Sequence, residues 1–134
     1  MRIIIDAMSG DNAPHEIVKG AVEAATAFSD TEIVLTGRRQ VIESCAKDMG
    51  LSLSKIDILH ADSVVTMDDE PNCVVKDKKN SSMGAGLYEL KNNADAFVSA
   101  GNTGALQVGA TLIIRAIKGI RRPCLAMILP FPNR

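Results

Sequence analysis

Hydrophobic and polar positions along the chain switch repeatedly between two periods. Residues 3–5 form an unbroken apolar run, the pattern of a strand buried on both faces. Pro14 suits the first position of a helix capped by Asn12 or Ala13, and Ile17, Val18, Ala21, Val22, Ala25 and Phe28 then recur at helical spacing. A second strand is predicted at 32–36. A second amphipathic helix follows at 38–49, with Val41, Ile42, Cys45, Ala46 and Met49 inward and Gly50 as its stop. Residues 56–60 read as a third strand, which 64–67 continue or follow. Asp68-Asp69-Glu70-Pro71 reads as an acidic helix start, with a short helix to Lys79. Asn80-Ser81-Ser82 breaks it, and 83–91 carry Met83, Leu87 and Leu90 on the next helix. Residues 96–100 predict a short buried strand and 101–104 a tight polar loop. A helix apolar on almost every face then runs from Ala105 to Lys118, where Gly119 stops it. Residues 124–129 predict a last buried strand.

Strand and helix alternate with short connections, which predicts an α/β fold of one domain with a mainly parallel sheet. In such sheets ligands bind beyond the carboxyl ends of the strands. The polar loops at 6–13 and 101–104 are placed there.

Composition narrows the class. The chain has 134 residues, 46% hydrophobic and 23% charged, with net charge −1, as expected of a soluble globular domain. With no basic excess and only 3% aromatics, nucleic-acid binding is not expected. Cys45, Cys73 and Cys124 match neither a zinc spacing nor a disulfide framework, so they are expected in the core of a protein in a reducing cytosol. The first apolar run is too short for a signal peptide, and the helix from Ala105 contains Gln107 and Arg115 and is too short to span a bilayer. That helix is expected at the centre of the core or in a subunit interface.

Three polar clusters are candidates for chemistry. In Met8-Ser9-Gly10-Asp11-Asn12, Gly10 permits a left-handed turn while Ser9, Asp11 and Asn12 offer ligating groups; a plain capped turn accounts for it equally well. In Lys76-Asp77-Lys78-Lys79-Asn80-Ser81-Ser82, a lysine with hydroxyls at a helix start can hold a phosphate, and a solvated charged turn is the simpler alternative. The loop Gly101-Asn102-Thr103-Gly104 is the strongest of the three: two glycines flank two donors where helix N–H groups point at an anion. No dinucleotide fingerprint or Walker loop is present. His15 and His60 lack spaced partners, the acidic run at 68–70 reads as a helix start rather than a metal site, and no cofactor is expected.

Together the clusters resemble a known family. Asp6-Ala7-Met8-Ser9-Gly10-Asp11-Asn12-Ala13-Pro14, Met67-Asp68-Asp69-Glu70-Pro71, Lys78-Lys79-Asn80-Ser81-Ser82-Met83, Asp95-Ala96-Phe97-Val98-Ser99-Ala100-Gly101-Asn102-Thr103-Gly104-Ala105 and Lys118-Gly119-Ile120-Arg121-Arg122-Pro123 are similar, in order, to motifs of the bacterial phosphate acyltransferases of phospholipid synthesis (PlsX). Ser9 stands where that family usually has a second glycine, and Asn80 where an aspartate is common.

The resemblance implies a three-layer α/β/α fold like that of isocitrate and isopropylmalate dehydrogenases. It also implies transfer of a fatty acyl group from acyl carrier protein to inorganic phosphate, in a homodimeric cytoplasmic enzyme that visits the inner face of the membrane. Applied to this sequence, it assigns Asn102 and Thr103 to stabilising the oxyanion and Asp11, with Asn12, to orienting donors or the thiol. Ser9, Gly10, Asn12, Lys79, Ser81, Ser82, Gly101 and Gly104 would line the phosphate and substrate site. The chain is less than half the family's usual length, so residues 1–134 are expected to be the N-terminal part of one α/β unit whose C-terminal half is missing. Two other functions fit the same residues: a phosphate acetyltransferase-like enzyme using a short acyl-CoA, and a non-catalytic anion-binding or assembly module.

Overall fold

A computed structural model describes residues 1–121, 123–126 and 128. Four parallel strands form one sheet in the order β3-β2-β1-β4: β1 (Arg2–Asp6), β2 (Glu32–Gly37), β3 (Ile56–His60) and β4 (Ala96–Val98). In register, Ile4 lies beside Val34 on one side and beside Phe97 on the other. Helices α1 (His15–Ala27) and α2 (Arg39–Asp48) follow β1 and β2. Helix α3 (Ser82–Asn93) carries the chain back across to β4, and α4 (Thr103–Gly109) follows β4.

Two cores lie on opposite faces of the sheet, as alternating side chains require. Ile33 and Leu35 pack with Val18 and Ala21 of α1 and with Ile42 and Ala46 of α2. On the other side Met83 and Leu87 of α3 pack with Val74, Ala105 and Ile113. Sheet and two helical layers make the α/β/α arrangement anticipated from the alternation. Among the described residues, no helix is long and apolar enough to cross a membrane.

Several local expectations are corrected. Pro14 is the N-cap of α1, not its first residue; neither Asn12 nor Ala13 caps with a side chain, and Asn12 contributes its carbonyl to the Glu16 N–H at 3.3 Å. Phe28 caps α1 at its C-terminal end and is exposed. Residues 64–67 form no strand; beyond β3, Ser63 makes a single bridge to Ser81. The acidic run at 68–70 is a turn before a short 3-10 helix, Pro71–Val75, because Asp69 is used by its neighbours rather than by helix N–H groups.

Strand β4 is three residues long and only half-buried, with Val98 52% exposed, because it is the sheet's edge. The helix expected to reach Lys118 changes to a π-helical turn at Ala110–Ile114 and ends at Arg115. Its buried stripe, Ala105, Gly109 and Ile113, has α3 to pack against, whereas Ile117 is 80% exposed. A helix of this length depends on such packing and stops where it ends. Gly119 therefore lies in a turn beyond the helix. Of the strand expected at 124–129, residues 124–126 and 128 are not in a strand, while 127 and 129 lie outside the described residues, as does Arg122 of the last motif. Cys45 is in the core as anticipated, but Cys73 is half-buried and Cys124 exposed.

Candidate functional site at the switch point of the sheet

Strand β1 feeds α1 on one face and its neighbour β4 feeds α4 on the other, so the loops leaving these adjacent strands diverge. This is the topological switch point at which open parallel sheets form a crevice. The loop after β1 carries Ser9 to Asn12; the loop after β4 carries Ser99 to Asn102.

The two loops are tied together by hydroxyls. Ser9 is buried, and its Oγ accepts from the Ala100 N–H at 3.0 Å, lies 3.1 Å from Ser99 Oγ and donates to the Asp6 carbonyl at 3.3 Å. Gly10 sits at φ +99, where side chains are strained, and a Cβ there would press on Ala100 at 3.1 Å. Gly101 is required by the same approach, since a Cβ on it would come within 2.7 Å of Ser9 Cβ. A Cβ on Gly104 would lie 3.0 Å from Pro71 Cγ. Both glycines of the loop thus have a packing reason that spacing alone did not disclose.

Asn102 is buried at φ 28, a conformation that asparagine adopts more readily than most residues. Its side chain is wholly engaged by protein groups. Oδ1 accepts from the Ala105 N–H at 2.9 Å and caps α4, while Nδ2 donates to the carbonyls of Thr66 and Asp69 at 2.8 and 3.1 Å. Its backbone N–H is covered only by Met67 Sδ at 3.1 Å, a weak acceptor. Among the described residues the N–H groups of Thr103 and Gly104 have no partner, and the Thr103 side chain faces solvent.

The lysine cluster joins the same region from the other side. Lys78 is half-buried, donating to the Val64 carbonyl at 2.8 Å and to Asp69 Oδ2 at 2.5 Å. Asp69 also accepts from the Thr66 N–H at 2.6 Å; the Lys78 hydrogen bond first, and then this one, lowers its pKa to about 2. Lys79 is exposed, and its carbonyl lies so close to Gly84 of α3 that any Cβ there would collide with it. Ser81 is the N-cap of α3, its Oγ accepting from the Gly84 N–H at 3.1 Å. Ser82 is fully buried, and its hydroxyl faces the Asp6 carboxyl without a hydrogen bond of ordinary geometry among the described residues.

The structure therefore brings Ser9, Gly10, Gly101 and Asn102 together where the two loops meet, with Ser82 beside Asp6 beneath them and Gly104 against Pro71. Asp11, Asn12, Thr103 and Lys79 project to solvent. Asp6 is not singled out by the sequence, where it reads as the first residue of the polar loop 6–13. It is buried at the tip of β1 between the loops, and burial raises its pKa against the hydrogen bonds that support its charge. His60 is half-exposed, paired with Asp62 at 2.9 Å at the far edge of the sheet, and His15 is exposed. Among the described residues no group of His, Cys, Asp or Glu could hold a metal ion.

A family model described as "Fatty acid synthesis protein" matches residues 1–134. The chain belongs to that family. It is 48% identical over 134 residues to a phosphate acyltransferase of Thermoanaerobacter pseudethanolicus, covering 99% of this chain and 39% of that protein. To a phosphate acyltransferase of Bacillus subtilis it is 46% identical over 131 residues, 97% of this chain and 38% of that one. A phosphate acyltransferase of Clostridium novyi is 40% identical over 134 residues, 99% of this chain and 40% of that one. The resemblance read from the five motifs is borne out. The chain spans about two-fifths of the length of these curated relatives.

Proposed function

We propose that this chain carries the phosphate-binding part of an acyltransferase that moves a fatty acyl group from an acyl carrier protein thioester to inorganic phosphate. One observation carries the reading: loops read as separate anion sites meet at the switch point of a chain 40–48% identical, over nearly its whole length, to phosphate acyltransferases. In the reaction a phosphate oxygen attacks the thioester carbonyl, the new C–O bond forms as the C–S bond breaks, and the proton lost by phosphate ends on the leaving thiol. Phosphate is itself the nucleophile, so the protein's task is to position it and to stabilise the oxyanion.

The exposed groups are free for that task. The N–H groups of Thr103 and Gly104 and the Thr103 hydroxyl are the donors for phosphate or oxyanion, and the exposed Lys79, two residues before the Ser81 cap of α3, supplies charge. Asp11 and Asn12, exposed in the loop after β1, are the groups left to orient the donors or the thiol of the thioester arm. Asn102 serves the site differently from an oxyanion donor: its side chain is bonded to Ala105, Thr66 and Asp69, so it fixes the loop whose backbone does the donating. The relatives' length leaves the rest of the cleft to a further part of the protein, together with the dimer contact and any membrane contact, all of which belong to this proposal.

The test is incubation with acyl carrier protein thioester and phosphate, trapping acyl phosphate with hydroxylamine. Acyl hydroxamate that disappears when phosphate is omitted is expected from the chain joined to the remaining part of a relative. Loss of one donor in Thr103→Val should lower its rate by about 10²-fold or more. Product formed only from acetyl-CoA would replace this reading by a short-chain acetyltransferase, and no product from either by a binding module.

A further inference from the structure

One buried acid lies beneath the loop and is unused by the reaction just described. Asp6 is 2% exposed at the end of β1, an interior strand. One carboxyl oxygen accepts from the Met8 N–H at 3.1 Å and the other from the Ser99 hydroxyl at 3.2 Å. Ser99 Oγ is 3.1 Å from Ser9 Oγ and accepts from the Gly101 N–H at 3.4 Å, so the chain of hydroxyls reaches the backbone of the anion loop. From the α3 side the hydroxyl of Ser82, fully buried and without a hydrogen bond among the described residues, faces the same carboxyl. The groups facing Asp6 are these three hydroxyls and the Met8 N–H; no charged side chain among the described residues bears on it.

The count of hydrogens decides what such a cluster can give. Ionised, Asp6 is acceptor-only and draws the hydroxyl hydrogens of Ser99 and Ser82 inward, while Ser9 gives its hydrogen to the Asp6 carbonyl. Protonated, it adds a third hydrogen and becomes a donor itself, so an inward hydroxyl hydrogen is released. Ser99, half-buried beside the crevice, is the member able to turn outward. We propose that Asp6 is a positioning residue of the anion site, acting through Ser99: its protonation frees a hydroxyl hydrogen for the bound oxyanion, coupling anion binding to uptake of one proton. This rests on the anion site proposed above. Burial moves the Asp6 pKa upward, so the protonated form persists at higher pH than in an exposed aspartate.

Sulfate is the appropriate probe because, unlike phosphate, its charge is fixed between about pH 4 and pH 8. Sulfate affinity of the 134-residue chain should fall as pH rises through the Asp6 titration, by up to about tenfold per pH unit for one coupled proton. Asp6→Asn, which offers Ser99 an N–H at every pH, should hold the low-pH affinity and lose that step. In the unmodified chain, sulfate should raise the titration midpoint of the Asp6 carboxyl followed by carbon-detected NMR. This second measurement decides the matter if the variant does not fold. Sulfate binding with the same pH profile in both proteins, or an Asp6 midpoint that sulfate leaves in place, overturns the coupling and leaves the anion site standing. Absence of sulfate binding at every pH overturns the site and the coupling together.

Discussion

Ser9, Ser81, Ser82 and Asn102 are turned into the protein, whereas Asp11, Asn12, Thr103 and Lys79, their neighbours in the same motifs, are turned out of it. Both sets have side chains able to hold an anion, and both lie at the carboxyl end of the sheet. In the first set Ser9, Ser81 and Asn102 spend their side-chain hydrogen bonds on other protein groups and thereby fix where the loops run. The second is exposed, and under the function proposed above its donors and charges are those that meet the anion. A motif of polar residues at a switch point is therefore two devices interleaved residue by residue, a frame and a reading edge, and residue type alone does not separate them.

That division breaks if frame residues prove dispensable to folding. Asn102→Ala should give the largest effect, because it removes the cap on Ala105 and leaves two carbonyls without their donor. A destabilisation of about 2–3 kcal/mol is expected from the urea midpoint at unchanged slope. Asn102→Asp, which keeps the cap and loses both donations, should fall between this variant and the unmodified chain. Ser81→Ala loses one cap and should cost about 1 kcal/mol in the same measurement.

Asp69 sharpens the comparison through pH. Its folded pKa of about 2 lies below the ordinary 3.8, so its contribution is fully present above the unfolded value and is lost as pH falls toward about 2. Acid unfolding monitored by circular dichroism should therefore be less steep over that window in Asp69→Asn than in the unmodified chain. The smallest effects belong to the reading edge. Lys79→Ala and Asp11→Ala should leave stability within about 0.5 kcal/mol, while Lys79→Ala weakens sulfate binding severalfold. A large stability loss in either would return these residues to the frame.

Much of the frame was legible in the sequence. The strands at 3–5, 32–36 and 56–60 were found within a residue or two because short apolar runs bounded by polar turns have few other uses in an alternating chain. Gly50, at φ +66, ends α2 as its position suggested. The region after β3 was read less well because tertiary bonds decide it: Asp69 is claimed by Thr66 and Lys78, which turns an apparent helix start into a bend. The early end of α4 was equally invisible, since the apolar period continues in the sequence beyond the point where α3 supplies a surface. At the site, the loops were legible from glycine spacing, but not the direction in which each side chain points. Asp6 was missed because burial, which gives it its chemistry, comes from loops far along the chain.

The contact between Gly84 and the carbonyl of Lys79 has a thermodynamic consequence. With the turn pressed against the first turn of α3, the backbone beneath Lys79 is already ordered before any anion arrives. On the function proposed above, anion binding then has only the lysine side chain left to immobilise, a cost of at most about 2 kcal/mol in rotamer entropy, without the further 1–2 kcal/mol per residue of ordering a loose turn. An exposed cation on a rigid base can thus grip an ion as small as phosphate with modest charge and still release it quickly.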